Sequence, residues 1–210
     1  MAKNRPGLAP PFVQMELSVK TSLEQSMAVQ VWITEGMDLA AESISEVHSF
    51  DTDFCIERTR CYALSEISEH AARGSDADWR ACVLRPFTGK FRGVAVLSME
   101  ADEALAWVVA DGAKKDIVGT YIDLGGRLVE GLIESARKAV EPNLSLGCPR
   151  FREDTLTGCL LSTHAPSDTV AIASQVRVRS SGHELEGQLH VLMDPKSMGQ
   201  LLGALSVSLH

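Results

Sequence analysis

The chain has 210 residues, of which 45% are apolar and 23% charged, and its formal net charge is −8. This composition is typical of a soluble globular protein that is long enough to bury a core. No apolar run reaches the ~18 residues of a transmembrane helix and no basic patch offsets the acidity, so neither membrane insertion nor nucleic-acid binding is expected. The N-terminus lacks the apolar stretch of a signal peptide, which predicts a cytoplasmic protein.

A short tail is predicted to precede one domain. Residues 1–15 begin with a stretch rich in proline and glycine and are expected to be disordered, and residues 16–210 are expected to form a single domain. Apolar residues recur at helical spacing from Glu16 to about Ile33, which predicts a first helix.

Residues 35–78 are predicted to be an acidic insertion in that domain. They carry eleven acidic and three basic residues, so this segment accounts for a charge of −8. Two interpretations fit it: a solvated loop with a polar helix face, or a docking surface for a basic partner. Within the segment, "FCIERTRCYAL" alternates loosely as a strand does, and "LSEISEHAARG" is typical of a helical turn that ends at Gly74.

The middle of the chain predicts two strands followed by two helices. "WRACVLRPF" and "FRGVAVLSM" are the strands, and a helix over about Asp102–Val109 opens with acidic residues that suit its dipole. A long helix over about Lys115–Val140 has a continuous apolar stripe and ends before Pro142. Its interior glycines each cost about 1 kcal/mol relative to alanine, which indicates a closely packed neighbour.

The C-terminal third predicts three strands and a closing helix. "TLTGCLLST", Thr169–Arg179 and Glu184–Val191 are the predicted strands, and "SSGH" is a turn between the last two. The segment "KSMGQLLGAL" is predicted to be a short final helix.

Two segments repeat at an offset of 94 positions. "KFRGVAVLSME" (Lys90–Glu100) aligns with "ELEGQLHVLMD" (Glu184–Asp194), with Gly93 on Gly187 and Met99 on Met193. The same offset places Cys82 and Leu84 on Val176 and Val178 of the preceding strand, and a helix follows each copy. The repeat predicts an α+β fold in which duplicated helix–strand–strand units form an antiparallel sheet with two long helices packed on one face.

The stretch "ACVLRPFTGKFRGVAVLSMEADEALAWVV" resembles the strand–turn–strand–helix of the CheC/CheX chemotaxis phosphatase family. The matching residues are Thr88, Gly89, Gly93, Leu97, Ser98 and Ala104. The segment "GHELEGQLHVLM" is similar to the last hairpin of the family, and the resemblance covers about residues 80–205. It implies a receiver domain or another signalling or motility protein as the partner.

The resemblance also implies an active-site motif, D/S-x-x-x-E-x-x-N, with a proline further on. In the family, the Glu contacts a receiver lysine and the Asn carboxamide orients a water for attack on the receiver's aspartyl phosphate. Aligned on this chain, the motif falls on Asp123, Arg127 and Glu130, with Pro149 in the expected neighbourhood. The acid is kept, but the Glu and the Asn are replaced, and no E-x-x-N occurs anywhere in the chain.

Two functions remain open for the polar side of this helix. Asp123, Arg127, Glu130 and Glu134 are spaced as an ion-pair face that binds a partner without catalysis, and pairs of Asp123 with Arg127 and of Glu134 with Lys138 are expected. Alternatively, the chain is an aspartyl-phosphate phosphatase with a rearranged site, in which Glu130 orients water and needs a nearby cation, for which Arg127 is the candidate. The missing Asn favours the first.

No cofactor or metal site is predicted. Nucleotide-binding glycine loops, the G-x-S-x-G and H-E-x-x-H motifs, and histidines at ligand spacing are all absent. The five cysteines form no C-x-x-C pair and are predicted to be mostly core residues, although Cys148 in "GCPR" could be reactive. Antiparallel strands need covered edges, so a homodimer or a larger complex is expected.

Overall fold

Seven antiparallel strands form one sheet, and helices pack against it. The structure, a computed structural model, describes residues 23–48, 51–66, 79–110, 116–140 and 143–208. The helices are α1 (Leu23–Val47), α2 (Ala101–Ala110), α3 (Ile117–Val140), α4 (Leu156–Leu161) and α5 (Pro195–Ser208). The strands are β1 (Thr52–Ala63), β2 (Arg80–Gly89), β3 (Gly93–Glu100), β4 (Leu144–Leu146), β5 (Arg150–Asp154), β6 (Val170–Ser180) and β7 (His183–Met193). The predicted tail lies outside the described residues, and of the predicted turn ending at Gly74 only Leu64–Glu66 is described, where it forms a 3-10 helix.

The order of strands in the sheet is nearly symmetric about its centre. The order is β1-β6-β7-β3-β2-β4, and β5 also pairs with β2. At the centre, Val96 of β3 lies opposite His190 of β7. His190 is also the residue that the offset of 94 aligns with Val96. Gly93 lies opposite Met193 and Met99 opposite Gly187, as a two-fold relation between the repeats requires. The predicted α+β class with duplicated units and two long helices is confirmed.

The repeat does not extend to the preceding strands as predicted. Cys82 faces a small cluster on the outer side of the sheet, with Leu84 packed against it, whereas Val176 and Val178 face the main core. In β2 and β6, the offset of 94 therefore aligns residues that lie on opposite faces of the sheet. The reason is that Gly93 lies opposite Phe87 whereas Gly187 lies opposite Val176, so the two hairpins have different registers.

The two long helices lie antiparallel on the inner face of the sheet. They cross where an added Cβ on Gly36 would come 2.7 Å from Leu132 Cα, and one on Gly131 would come 2.6 Å from Ala40 N. Trp32 Nε1 donates to Leu132 O at 3.0 Å across the same crossing. The close approach that the interior glycines predicted is confirmed at Gly131 and also at Gly125, which packs on Val83 of β2.

Several predicted elements differ from the structure. The first helix does not end at Ile33 but continues to Val47, and β1 follows at Thr52, so much of the acidic segment belongs to a helix and a strand. The segment "TLTGCLLST" is not a strand; it contains α4, whose N-cap Thr155 accepts a hydrogen bond from Gly158 N. The strands β4 and β5 were not predicted.

The last hairpin and the final helix are confirmed. Ser181 (φ 48°) and Gly182 (φ 83°) form the two-residue turn between β6 and β7. Positive φ at both positions is the type I′ geometry that matches the twist of a hairpin. α5 contains all of the predicted "KSMGQLLGAL" segment.

Candidate functional site

The candidate site is the polar side of α3, which the core holds in place. Leu124, Leu128 and Leu132 of this helix are fully buried and anchor its opposite side. Asp123, Arg127 and Glu134 are partly exposed, and Glu130 is exposed. The sequence-predicted residues therefore do share one accessible side of one helix.

Asp123 is held by two donors, one of them from the other long helix. Its carboxylate accepts from Arg127 Nε at 2.9 Å and lies 2.8 Å from His48 Nε2 just after the end of α1. Arg127 Nη1 also donates to Ser43 Oγ of α1 at 3.1 Å. Burial opposes ionisation of Asp123, but the hydrogen bonds from Arg127 and His48 outweigh it and hold the pKa of this carboxyl below its usual value.

Glu130 is paired with an arginine of the sheet rather than with Arg127. Arg85 of β2 places Nη1 3.4 Å from Glu130 Oε2, and the same nitrogen donates to Gly126 O at 2.6 Å. Arg85 Nε donates to Gly147 O at 3.2 Å, and the arginine side chain is only 15% exposed. These contacts fix the cation in place, so the expected neutralisation of Glu130 by Arg127 is replaced by one from Arg85.

Glu134 pairs with Arg137 and not with Lys138 as the i,i+4 rule predicted. Arg137 Nη1 lies 2.8 Å from Glu134 Oε2, and the arginine also donates to Leu144 O of β4. The carbonyl of β4 draws Arg137 to the side where Glu134 lies, and this favours the i,i+3 pair. The predicted pair of Asp123 with Arg127 is confirmed.

Pro149 lies beside the candidate site, as the resemblance implied. A Cβ on Gly126 would lie 3.5 Å from Pro149 Cγ, so the loop between β4 and β5 borders the α3 surface. Cys148 in the same loop is exposed, whereas Cys61, Cys82 and Cys159 are buried, as predicted for core cysteines. Burial raises the pKa of the Cys61 thiol to about 11, which keeps it protonated and unreactive.

The site is a set of ion pairs with one cation for each carboxylate. Asp123 lies against Arg127, Glu130 against Arg85, and Glu134 against Arg137. Asn143, the only asparagine outside the tail, follows the end of α3 and lies by Gly89. No asparagine therefore stands at the Glu130 position, and the part of the chain that the structure describes contains no cluster of His, Cys, Asp and Glu suited to a metal ion.

Arg85 and His48 are the site residues that the sequence did not reveal. Both reach the site from other elements, 41 residues or more away from the atoms they contact. An arginine inside the otherwise apolar "ACVLRPF" was the one available signal, because a charge in a buried strand needs a partner.

Comparisons with known proteins give a fold and no sequence family. No family model and no curated protein matches the chain. The crystal structure of Thermotoga maritima FliY matches with a TM-score of 0.67 at 10% identity, over 90% of this chain and 98% of that one. The FliM–SpeE complex from H. pylori matches with a TM-score of 0.63 at 11% identity, over 90% of this chain and 97% of that one. The FliG–FliM complex from H. pylori matches with a TM-score of 0.58 at 10% identity, over 87% of this chain and 100% of that one.

These likenesses bear on the fold alone, because all identities are low. Structures of CheX and CheC-like chemotaxis proteins also match, at TM-scores of 0.44 to 0.47, a level too low to carry an argument. No helix among the described residues is both long and apolar enough to cross a membrane. The chain thus has the fold seen in FliY and FliM.

Proposed function

We propose that the chain is a non-enzymatic protein-binding module of a chemotaxis, flagellar or two-component signalling system, and that it binds its partner through the polar side of α3. The observation that carries this proposal is Glu130, which stands where the resemblance expects the water-orienting asparagine and is paired with Arg85. A carboxylate there repels the oxygens of a phosphoryl group, so the site is poorly suited to hydrolysis.

The partner class follows from the charges and from the fold. The face presents carboxylates and arginines in alternation, which suits a protein surface with both signs of charge better than a small ligand. Arg127 would repel a receiver lysine that the family's Glu attracts, so a receiver partner must dock differently from the family pattern. The matched FliM structures are complexes with other proteins, SpeE and FliG, which supports a protein partner for this fold.

Binding is tested by titrating receiver domains and motility proteins of the native host against the purified chain. We expect Arg127→Glu to weaken the complex by about tenfold or more, since it reverses a partly buried charge at the centre of the face. Lys138→Glu, an exposed charge reversal on the same helix, is the matched control and should change the affinity little. Equal losses in both variants would contradict the assignment of this face.

The alternative, a phosphatase acting on a receiver aspartyl phosphate, is favoured by one observation. Glu130 could act as a general base if a cation offset its charge, and Arg85 Nη1 lies 3.4 Å from its carboxylate. The test is phosphate release from phosphorylated host receivers, with Glu130→Ala and Glu134→Ala compared. Acceleration by the natural chain that only Glu130→Ala abolishes would overturn the non-enzymatic proposal.

The same phosphate-release assay tests whether α3 can acquire the phosphatase activity that the resemblance implies. Arg127→Glu combined with Glu130→Asn restores the motif on Asp123-x-x-x-Glu-x-x-Asn. Activity in this double variant alone would identify α3 as a phosphatase scaffold that has lost its chemistry.

A further inference from the structure

A small cavity of about 120 Å³ opens on the outer face of the sheet, opposite the long helices. It lies at the end of the sheet where β2 begins and β3 ends. Its polar lining consists of Arg80, Glu100, Glu103, Gln175, Glu186 and Gln188. The proposed function uses none of these residues.

Arg80 is a buried cation whose hydrogen-bonding capacity is unused. The residue is 7% exposed, it lines the cavity, and its Nε has no hydrogen-bond partner. Glu100 lies directly opposite Arg80 in the β2–β3 pairing, yet no ion pair forms between them. Leaving a buried guanidinium N–H without an acceptor is costly, so this position lacks the group that would satisfy it.

A second buried group, His190, lies on the same face. His190, 2% exposed on the same face, also has a ring nitrogen, Nδ1, without a partner. Burial, and next the positive charge of Arg80, lower the pKa of His190 to about 4. The imidazole is therefore neutral at pH 7 and adds no second positive charge beside Arg80.

The rim of the cavity has the opposite charge. Glu100 and Glu186 are exposed there, and Glu103 Oε2 accepts from the Glu186 N–H at 3.2 Å. Three carboxylates outweigh one guanidinium, so a simple anion would be repelled at the entrance although it would suit Arg80. A ligand for this cavity needs an anionic group that meets Arg80 and a cationic group that meets the carboxylates of the rim.

We propose that this cavity binds a small zwitterion, an amino acid with a short side chain, whose carboxylate meets Arg80 and whose ammonium group lies between Glu100 and Glu186. A charge-assisted pair between a carboxylate and a guanidinium is among the strongest hydrogen bonds in proteins, and it fills the vacant capacity of Arg80. A volume of about 120 Å³ suits a ligand of about the size of glycine, alanine or serine.

The test is calorimetric titration of the full chain with glycine, L-alanine and L-serine. Acetate and methylamine, which each carry one of the two charged groups, are the ligand controls and should bind at least about tenfold more weakly than glycine. Arg80→Met should weaken glycine binding by a similar factor, whereas Arg179→Met, an exposed arginine of β6, should leave it unchanged. Glu186→Gln, on the exposed rim, should also weaken binding without affecting folding.

Three results would overturn the proposal. None of the three amino acids binds; acetate binds as tightly as glycine; or Arg80→Met and Glu186→Gln both bind glycine as tightly as the natural chain. The first result would leave an ordered water as the partner of Arg80, the second would make the cavity an anion site, and the third would place the glycine site elsewhere on the chain. If Arg80→Met fails to fold, Glu186→Gln and the ligand controls decide.

Discussion

His190 shows at the scale of one residue how burial couples folding to pH. Its side chain lies on the outer face of the sheet beside Arg80 and is 2% exposed, with Nδ1 unpartnered. Burial and the charge of Arg80 lower its pKa from 6.5 to about 4. A histidine whose pKa falls on folding contributes stability that is fully present above the unfolded pKa and is lost as the pH falls toward the folded pKa.

We therefore expect the free energy of unfolding to fall by about 2 kcal/mol between pH 7 and pH 5 because of His190 alone. The unfolded chain binds a proton at this residue in that range, whereas the folded chain does not. His190→Leu should remove this part of the pH dependence, and His183→Gln, an exposed histidine, should keep it. Urea unfolding of the three proteins at pH 5 and pH 7 is the measurement, and identical slopes in all three would refute the effect.

The sequence predicted those contacts of the candidate site that are local. The pair of Asp123 with Arg127 follows from helical spacing, and it forms at 2.9 Å. The pairing of Glu130 with Arg85 depends on how β2 lies against α3, which no local pattern encodes. The same holds for His48, whose contact with Asp123 depends on α1 running 14 residues beyond its predicted end.

At the scale of elements, the crossing of α1 and α3 determines how the candidate face is presented. The crossing depends on Gly36 and Gly131, where the two backbones approach too closely for a side chain. Trp32 and the main core lie around the crossing, and Ser43 and Arg127 are brought together beyond it. A wider crossing would separate Arg127 from Ser43 and loosen the face.

Two glycine-to-alanine changes in α3 should have opposite effects on stability. Gly131→Ala places a Cβ 2.6 Å from Ala40 N, so we expect a loss of about 1–3 kcal/mol as α1 is pushed away. Gly126→Ala places its Cβ 3.5 Å from Pro149 Cγ, an ordinary contact, so the gain of about 1 kcal/mol in helix propensity should appear. Thermal or urea unfolding measures both, and a stabilising Gly131→Ala would show that the crossing is looser than described.

Elements with strong periodicity were predicted well, and short ones were not. The long helix α3 and the hairpin β6–β7 carry their patterns over ten residues or more. The six residues of α4, "LTGCLL", form a short apolar run of a kind that occurs in both helices and strands. Only the N-cap Thr155 indicates that this run is a helix. Three-residue β4 exists because it pairs with the end of β2, an interaction between distant parts of the chain.

For the whole molecule, the two-fold relation between the repeats does not extend to the edges of the sheet, which are unlike. One edge is built from β4 and β5, which have three and five residues and are separated by an irregular link. The other edge is β1, with 12 residues. Among the described residues, no strand pairs with its outer side, and its one irregularity is the register shift between Ile56 and Arg58. A long edge strand with a free side is a ready site for pairing with a second chain.

We predict a homodimer that forms by antiparallel pairing of β1 with β1 of a second copy. Glu57 is skipped in the register with β6, so Glu57→Pro removes a backbone donor without breaking a paired position, and proline is tolerated at such bulges. This variant should be monomeric. Glu57→Ala loses the same ion pair with Arg177 but keeps the N–H, so it should remain dimeric. Light scattering over a range of concentrations gives the mass, and a natural chain that stays at 22.7 kDa at the highest concentration would rule this dimer out.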